Sequence, residues 1–135
     1  MANALYDKGR EGFLDGSIDW DTDTIKVVLV DTADYTVNLS THDNLDDVAG
    51  AARVATSSAL ASKTVTAGVA DAADVTLVAV TGDPSEALIL YKDTGVESTS
   101  RLIAYIDSAT NLPVTPNGGD IVIAWDSGSN KIFKL

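Results

Sequence analysis

The stretch that decides the fold reads Thr24-Ile25-Lys26-Val27-Val28-Leu29-Val30. It is rich in β-branched residues, which favour an extended backbone, and after Lys26 it is apolar on both faces. A strand with one face in water alternates apolar and polar residues, whereas a continuous apolar run is typical of a strand covered on both sides. We therefore predict that this stretch is a strand in the core of a β-sandwich.

Downstream of this strand, short apolar runs alternate with turn residues at nearly even spacing. Residues 52–57, 63–69 and 74–80 are strand candidates, and residues 81–85 form a turn by composition. The remaining strand candidates are residues 35–39, 86–92, 101–107, 120–125 and 131–135. Roughly eight or nine short strands predict an all-β, single-domain β-sandwich, and the long connections favour a jelly-roll-like arrangement.

The segment upstream of the deciding strand, residues 3–16, is the best candidate for a helix. Its apolar and small residues recur at helical spacing, and charged residues fill the opposite face. We expect Asn3 to cap the start of this helix and Gly16 to close its end. Glycine inside a helix costs about 1 kcal/mol relative to alanine, and both Gly9 and Gly12 lie inside this one. The helix is therefore expected to need a surface to lie on.

These features divide the chain into an N-terminal helical arm, residues 1–16, and a β-sandwich domain, residues 17–135. An amphipathic helix that is weak on its own is stabilised by packing on a neighbouring molecule or on the parent sheet. We therefore expect the arm to make contacts, and we expect its deletion to reduce assembly while the β domain still folds. The residues assigned to this interaction are Leu5, Tyr6 and Phe13.

The chain carries 20 acidic and 9 basic residues, which gives a formal net charge of -11, and it has no cysteine. Such a surface repels phosphate backbones and anionic lipid headgroups, so we predict neither a nucleic-acid partner nor a membrane partner. The lack of cysteine excludes disulfides, thiolate metal sites and thiol nucleophiles. The first residues show no basic stretch followed by an apolar run, so we expect synthesis in a cytoplasm without an export signal.

One histidine, His42, is available for catalysis. A serine nucleophile needs a histidine base beside it, yet no serine of this chain lies in a Gly-x-Ser-x-Gly motif. His42 falls in a predicted helical turn over residues 41–50, where we expect it to be a solvent-exposed loop residue. The sequence therefore predicts a protein that is not an enzyme, and a single histidine does not make a metal site.

The densest acidic cluster is Asp19-Trp20-Asp21-Thr22-Asp23. Alternating carboxylates can converge on calcium, but the EF-hand loop needs glycine at its sixth position and glutamate at its twelfth. Those two positions hold Thr24 and Val30. We therefore interpret the cluster as a turn whose aspartates accept hydrogen bonds from nearby backbone amides, and we predict no metal and no cofactor.

Five segments distributed over nearly the whole chain carry a resemblance to known proteins. They are Met1-Ala2-Asn3-Ala4-Leu5-Tyr6-Asp7-Lys8-Gly9-Arg10, Ile25-Lys26-Val27-Val28-Leu29-Val30-Asp31-Thr32-Ala33-Asp34-Tyr35, Tyr91-Lys92-Asp93-Thr94-Gly95, Leu112-Pro113-Val114-Thr115-Pro116-Asn117-Gly118-Gly119-Asp120 and residues 125–135. Together they resemble a family of small virion structural proteins of tailed bacteriophages.

This resemblance implies a function and a set of partners. Phage proteins of this size and fold class are often capsid decoration (cement) proteins, which bind the outer face of the shell at its symmetry axes as dimers or trimers. The implied partners are the major capsid protein and further copies of the same chain, and the implied location is the virion, after synthesis in the host cytoplasm. A net charge of -11 suits the outside of a shell better than an interior filled with DNA.

Two alternatives stay open from the sequence. The first is another virion part, such as a tail, neck or head-fibre component. The second is a sugar-binding jelly-roll module with exposed aromatic side chains and calcium at Asp19, Asp21 and Asp23. Its aromatic candidates are Trp20, Tyr91, Tyr105 and Trp125. The last three lie in predicted apolar strands and are expected to belong to the core.

Overall fold

A computed structural model describes residues 3–135, which form ten β-strands and one α-helix. Every strand pair is antiparallel, and the predicted all-β class with a short N-terminal helix is confirmed. The elements are β1 (Ala4–Leu5), α1 (Asp7–Asp15), β2 (Ile25–Val30), β3 (Arg53–Thr56), β4 (Thr64–Thr66), β5 (Val69–Asp71), β6 (Val75–Leu77), β7 (Ala87–Lys92), β8 (Leu102–Ile106), β9 (Ile121–Ile123) and β10 (Phe133–Lys134).

Five strands form the main sheet in the order β1-β8-β7-β2-β3. Strand β2 lies beside β7 along its whole length, with Ile25 opposite Lys92 and Val30 opposite Ala87. Every residue of β2 except Lys26 is buried, and none of these buried residues is more than 1% exposed. The predicted core strand is therefore confirmed, and it has a neighbouring strand on each side.

Strand β2 is apolar on both faces because both faces of the main sheet are covered. On the first face, Val27 and Leu29 pack in one apolar cluster with residues of two smaller sheets, β10-β5-β4 and β6-β9. On the second face, Val28 and Val30 pack in another cluster with side chains of segment 31–52. Apolar surface is removed from water on both sides, which is the main favourable contribution to folding. The smaller sheets contribute Ala70, Val75, Leu77 and Ile123 to the first cluster.

The N-terminal segment begins as a strand, so the predicted helix start at Asn3 is wrong. Ala4 and Leu5 form β1, which pairs with β8 at the edge of the main sheet. The Asn3 side-chain Oδ1 accepts hydrogen bonds from the backbone N–H groups of Asp107 and Ser108, both at 3.0 Å, and does not cap a helix. Strand β1 provides hydrogen-bond partners for the backbone N–H and C=O groups at the edge of β8. That partner lies about a hundred residues away, so a local pattern does not reveal the pairing.

Helix α1 spans Asp7–Asp15 and lies against β8. A Cβ atom on Gly9 would come within 2.7 Å of a carbonyl oxygen of β8, and one on Gly12 would come within 2.4 Å of the Ile18 side chain. The two glycines that weaken the helix are therefore the residues that let it approach its surroundings closely. The helix ends at Gly16, as predicted, and this residue has the left-handed φ of 82° that favours glycine at a helix C-terminus.

The predicted strand over residues 35–39 is wrong. Segment 31–52 runs irregularly across the second face of the main sheet, with short 3-10 turns at Leu45–Asp47 and Gly50–Ala52. Val37 and Leu39 pack half-buried against that face. Their alternation with polar residues, which resembles a strand pattern, reflects the packing of an irregular segment on a sheet.

Candidate functional site

The three residues assigned to the arm interaction occupy different places. Leu5 is 8% exposed and packs in the first-face cluster, whereas Tyr6 is fully buried in the second-face cluster. Phe13 is half-buried on α1, and its ring centroid lies 5.7 Å from that of Phe133. The arm thus lies on its own sheet, one of the two surfaces expected for it. Phe13 is the member of this set that keeps the most accessible surface.

A hydrogen-bonded network lies at the second face of the main sheet. The hydroxyls of Tyr6 and Tyr35 are 2.9 Å apart, and the Tyr35 hydroxyl lies 2.8 Å from Nδ1 of His42. Burial raises the pKa of Tyr35 to about 12 and also raises the pKa of Tyr6. All four tyrosines of the sequence belong to this face, and the other two are Tyr91 and Tyr105. The network fastens the segment that covers this face to the N-terminal segment.

His42 is half-buried, so its expected place as a solvent-exposed loop residue is wrong. Besides facing the Tyr35 hydroxyl, its Nδ1 accepts the backbone N–H of Asn38 at 3.3 Å. Its own backbone N–H donates to the Asn38 carbonyl at 3.1 Å. These contacts hold the loop between the two residues in one conformation, and they give the histidine a structural role.

The acidic cluster at residues 19–23 is a turn, as interpreted from the sequence. The Asp23 carboxylate accepts the backbone N–H of Asp19 at 2.7 Å and lies 3.1 Å from Nζ of Lys92. The carboxyls of Asp19 and Asp21 contact each other, and this hydrogen bond lowers the pKa of Asp19 and raises the pKa of Asp21. Asp23 is therefore engaged inside the chain, whereas Asp19 and Asp21 form an acidic pair on the surface.

A concave apolar surface, which we call the α1 groove, lies between the end of α1, the acidic turn and the three-stranded sheet. Its volume is about 350 Å³. Its floor is a row of side chains across three strands, because Ala70 of β5 lies opposite both Val65 of β4 and Phe133 of β10. The walls and rim come from Phe13, Ile18, Asp19, Trp20, Asp21 and Leu135.

Aromatic contacts fix the inner wall of the α1 groove. The Trp20 ring meets Phe133 edge-on at a centroid distance of 5.3 Å, and its Nε1 donates to the Asp71 carbonyl at 3.0 Å. Towards the outside, Val65 is 56% exposed and Leu135 is 60% exposed. The groove therefore has a buried aromatic end and an apolar end that is open to solvent.

Two further groups of carboxylates lie close together in the described part of the chain. They are Asp31, Asp34 and Asp83, and Asp43, Asp46 and Asp47. In each group a carboxylate accepts a nearby backbone N–H: Asp31 accepts that of Ala33 at 2.9 Å, and Asp47 accepts that of Asp43 at 2.7 Å. Such bonds are typical of aspartates that shape turns.

Comparison of the sequence with family models and with curated proteins assigns this chain to no family. No protein-family model matches its sequence, and no curated protein matches it either. Among residues 3–135, no helix combines the length and the apolar character needed to cross a membrane. The α1 groove is a feature from which an interaction can be argued on physical grounds, because it is apolar and its outer residues Val65 and Leu135 are exposed.

The α1 groove is not visible in the sequence, because its residues come from separate segments of the chain. Phe13 is the groove residue that helical spacing assigned to an interaction. Trp20 carried a further signal, since a large aromatic side chain among aspartates needs an apolar place to pack. Val65 and Phe133 lay in predicted strands, but the pairing of both with β5, which puts them on one face, is not visible in local patterns.

Proposed function

We propose that this chain is a capsid decoration (cement) protein of a tailed bacteriophage, which binds the outer face of the major capsid shell and stabilises it. The observation that carries the proposal is the resemblance of five segments, spread over nearly the whole sequence, to small virion structural proteins. The fold is compatible with this role, because a decoration protein needs a stable body and a contact surface but no catalytic group.

The positions of the resembling segments support the proposal. One of them supplies β2, at the centre of the main sheet, and the last supplies β10, in the floor of the α1 groove. The first supplies β1 and the start of α1 within the described residues. The resemblance therefore involves both the core of the molecule and its open apolar surface.

Charge also supports attachment on the outside of a shell. Twenty acidic residues against nine basic ones give the protein an excess of negative charge. Packaged DNA repels such a protein from the interior, whereas the outer face of the shell imposes no such penalty.

Binding of the protein would stabilise the shell through thermodynamic linkage between binding and shell assembly. A protein that binds the assembled shell but not its dissociated subunits shifts the equilibrium toward assembly, in proportion to its affinity and concentration. A specific interface buries about 800 Å² per partner. Binding as a dimer or trimer at a symmetry axis multiplies the number of such contacts without requiring a new surface on each copy.

The proposal is tested by mixing the purified chain with particles assembled from the major capsid protein encoded in the same genome. We expect saturable co-sedimentation with a fixed ratio of copies to shell subunits, and a higher temperature of shell disruption. Absence of binding to intact shells would contradict the proposal. Binding to purified tails or necks, without binding to shells, would favour a tail, neck or head-fibre component instead.

A further inference from the structure

We propose that the α1 groove receives a segment of the shell protein that carries a large apolar side chain next to a lysine or arginine. This inference rests on the proposed attachment to a capsid shell and names the surface and the chemistry through which it occurs. Three features carry it: the shape of the groove, its charge, and the free edge of β4.

The shape of the groove fits an inserted side chain. Its volume of about 350 Å³ falls within the range of roughly 300–1,000 Å³ that is usual for small ligand sites. The row of Val65, Ala70 and Phe133 gives it an apolar floor. More than half of the surface of Val65 is exposed to solvent, and the same is true of Leu135. Clustered apolar side chains of this kind, rimmed by polar residues, are typical of interaction sites.

The rim of the groove selects a basic occupant. Asp19 and Asp21 lie on the rim as an acidic pair whose carboxyls contact each other. Among the described residues, the base that acts on this pair is Lys63, which lowers the pKa of Asp21 and whose Nζ donates to the Asp23 carbonyl oxygen, so the rim of the groove keeps an excess of negative charge. The nearby Lys92 is already engaged by Asp23. A lysine or arginine from a partner would relieve the repulsion between the two carboxylates and fix the register of binding.

A second copy of this chain is a poor occupant. Each copy carries a net charge of -11, so one copy would bring further negative charge to an acidic rim. Like-charge contacts across an interface cost several kcal/mol. The shell protein is the other partner in the proposed function, and the acidic rim calls for a basic side chain in the segment that it inserts.

The free edge of β4 offers backbone groups to an extended segment. In the three-stranded sheet β4 lies at the edge, with β5 as its strand neighbour, and all three of its residues are exposed. An edge strand presents unpaired N–H and C=O groups that can pair with another chain. A segment added there would run beside Val65, at the open end of the groove.

The experiment measures the affinity for the shell particles described above of two variants that introduce opposite charges at one groove residue, Val65. Val65→Lys should raise the Kd about tenfold or more, because it removes an apolar contact and repels a basic occupant. Val65→Glu removes the same contact but attracts the base, so its Kd should rise clearly less. The matched control is Val122→Lys, in the middle of β9, where the side chain is 63% exposed and lies outside the α1 groove; its Kd should stay within about twofold of that of the parent protein.

Neutral rim variants provide a second measurement that does not touch the sheet. Asp19→Asn combined with Asp21→Asn should weaken shell binding about tenfold, whereas Asp46→Asn, in the exposed 3-10 turn on the other face, should not. Circular dichroism and thermal melting confirm that each variant is folded.

The outcomes separate the two proposals. If the parent protein binds shells and the groove variants bind equally well, or if Val65→Glu is as damaging as Val65→Lys, the groove inference is wrong and the decoration function stands. If Val122→Lys alone weakens binding, the contact lies on the β6-β9 side of the molecule and the groove inference is again wrong. If the parent protein does not bind shells, the proposed function itself fails.

Discussion

At the scale of single residues, Gly9 sets how closely α1 approaches the main sheet. A Cβ atom at this position would lie 2.7 Å from the Leu102 carbonyl oxygen and 2.9 Å from the Cα atom of Ile103. Both are backbone atoms of β8, which cannot move without disturbing the pairing of β8 with β1 and β7. The helix therefore has to give way if a side chain is added there.

We expect Gly9→Ala to destabilise the protein by about 1–3 kcal/mol, because overpacking against backbone outweighs the gain of about 1 kcal/mol in helix propensity. Urea denaturation followed by circular dichroism measures the change. Gly50→Ala is the matched control, since the nearest heavy atom to its Cβ is the tip of the Arg53 side chain at 3.9 Å. A Gly9→Ala variant as stable as the control would show that α1 does not contact β8 as described.

The buried tyrosines predict the behaviour of the protein at alkaline pH. Burial raises the pKa of Tyr35 and of Tyr91 to about 12, and raises the pKa of Tyr6 and of Tyr105 as well. The folded chain therefore favours the neutral phenol. This contribution to stability is complete below the ordinary tyrosine pKa of about 10 and is lost as the pH rises from there toward 12.

We expect an absorbance titration at 295 nm to show little tyrosinate until the pH exceeds about 10, the ordinary pKa, and we expect its appearance to coincide with the loss of the circular dichroism signal. The pH of this joint transition should fall when urea is added, because unfolding exposes the phenols. Ionisation of all four tyrosines near pH 10 in a chain that stays folded would contradict the packing of the second face.

At the scale of elements, the N-terminal arm is part of the main sheet. Strand β1 forms one edge of that sheet, Tyr6 is fully buried, and the Tyr6 backbone N–H donates to the Ile103 carbonyl at 2.9 Å. The expectation from the sequence was that the β domain still folds when the arm is deleted. The structure favours a different outcome, because deletion uncovers both the edge of β8 and the tyrosine network.

We expect deletion of residues 1–16 to lower the free energy of unfolding by more than the roughly 2–5 kcal/mol that truncation of one large core side chain costs. Thermal melting of the truncated chain measures this. A pair of point variants gives the control: Leu5→Ala, at an 8% exposed position, should be destabilising, and Leu14→Ala, at an 88% exposed position, should not. A truncated chain that melts like the intact one would support the independent arm expected from the sequence.

The strands also show which parts of the fold can be predicted from local sequence patterns and which cannot. Strand β2 was predictable because a continuous apolar run of seven residues or fewer, rich in β-branched residues, indicates a strand that is buried on both faces. Strand β1 was not, because its hydrogen-bond partners belong to β8 and lie far along the chain. The same limit applies to the candidate site: the position of Val65 beside Ala70 and Phe133 depends on the register of three strands, which local spacing does not determine.

At the scale of the whole molecule, excess negative charge governs how copies can be arranged. Ion pairs within the chain already engage basic residues, namely Lys8, Arg10, Lys26, Arg53 and Lys92. Nine basic residues cannot neutralise twenty acidic ones, so copies around a symmetry axis repel each other. If the proposed function holds, attachment comes mainly from contacts with the shell, and the contact that we propose is an apolar side chain in the α1 groove with a basic residue next to it.

The most direct test is a cryo-electron microscopy reconstruction of the phage particle that we propose to contain this protein. We predict density for the β-sandwich domain at regular positions on the outer face of the head, with the α1 groove and β4 turned toward the shell protein. Density for this chain confined to the tail or neck, or on the inner face of the head, would contradict the proposed function. Regular density on the outer face with the groove turned toward solvent would instead contradict the inferred mode of attachment.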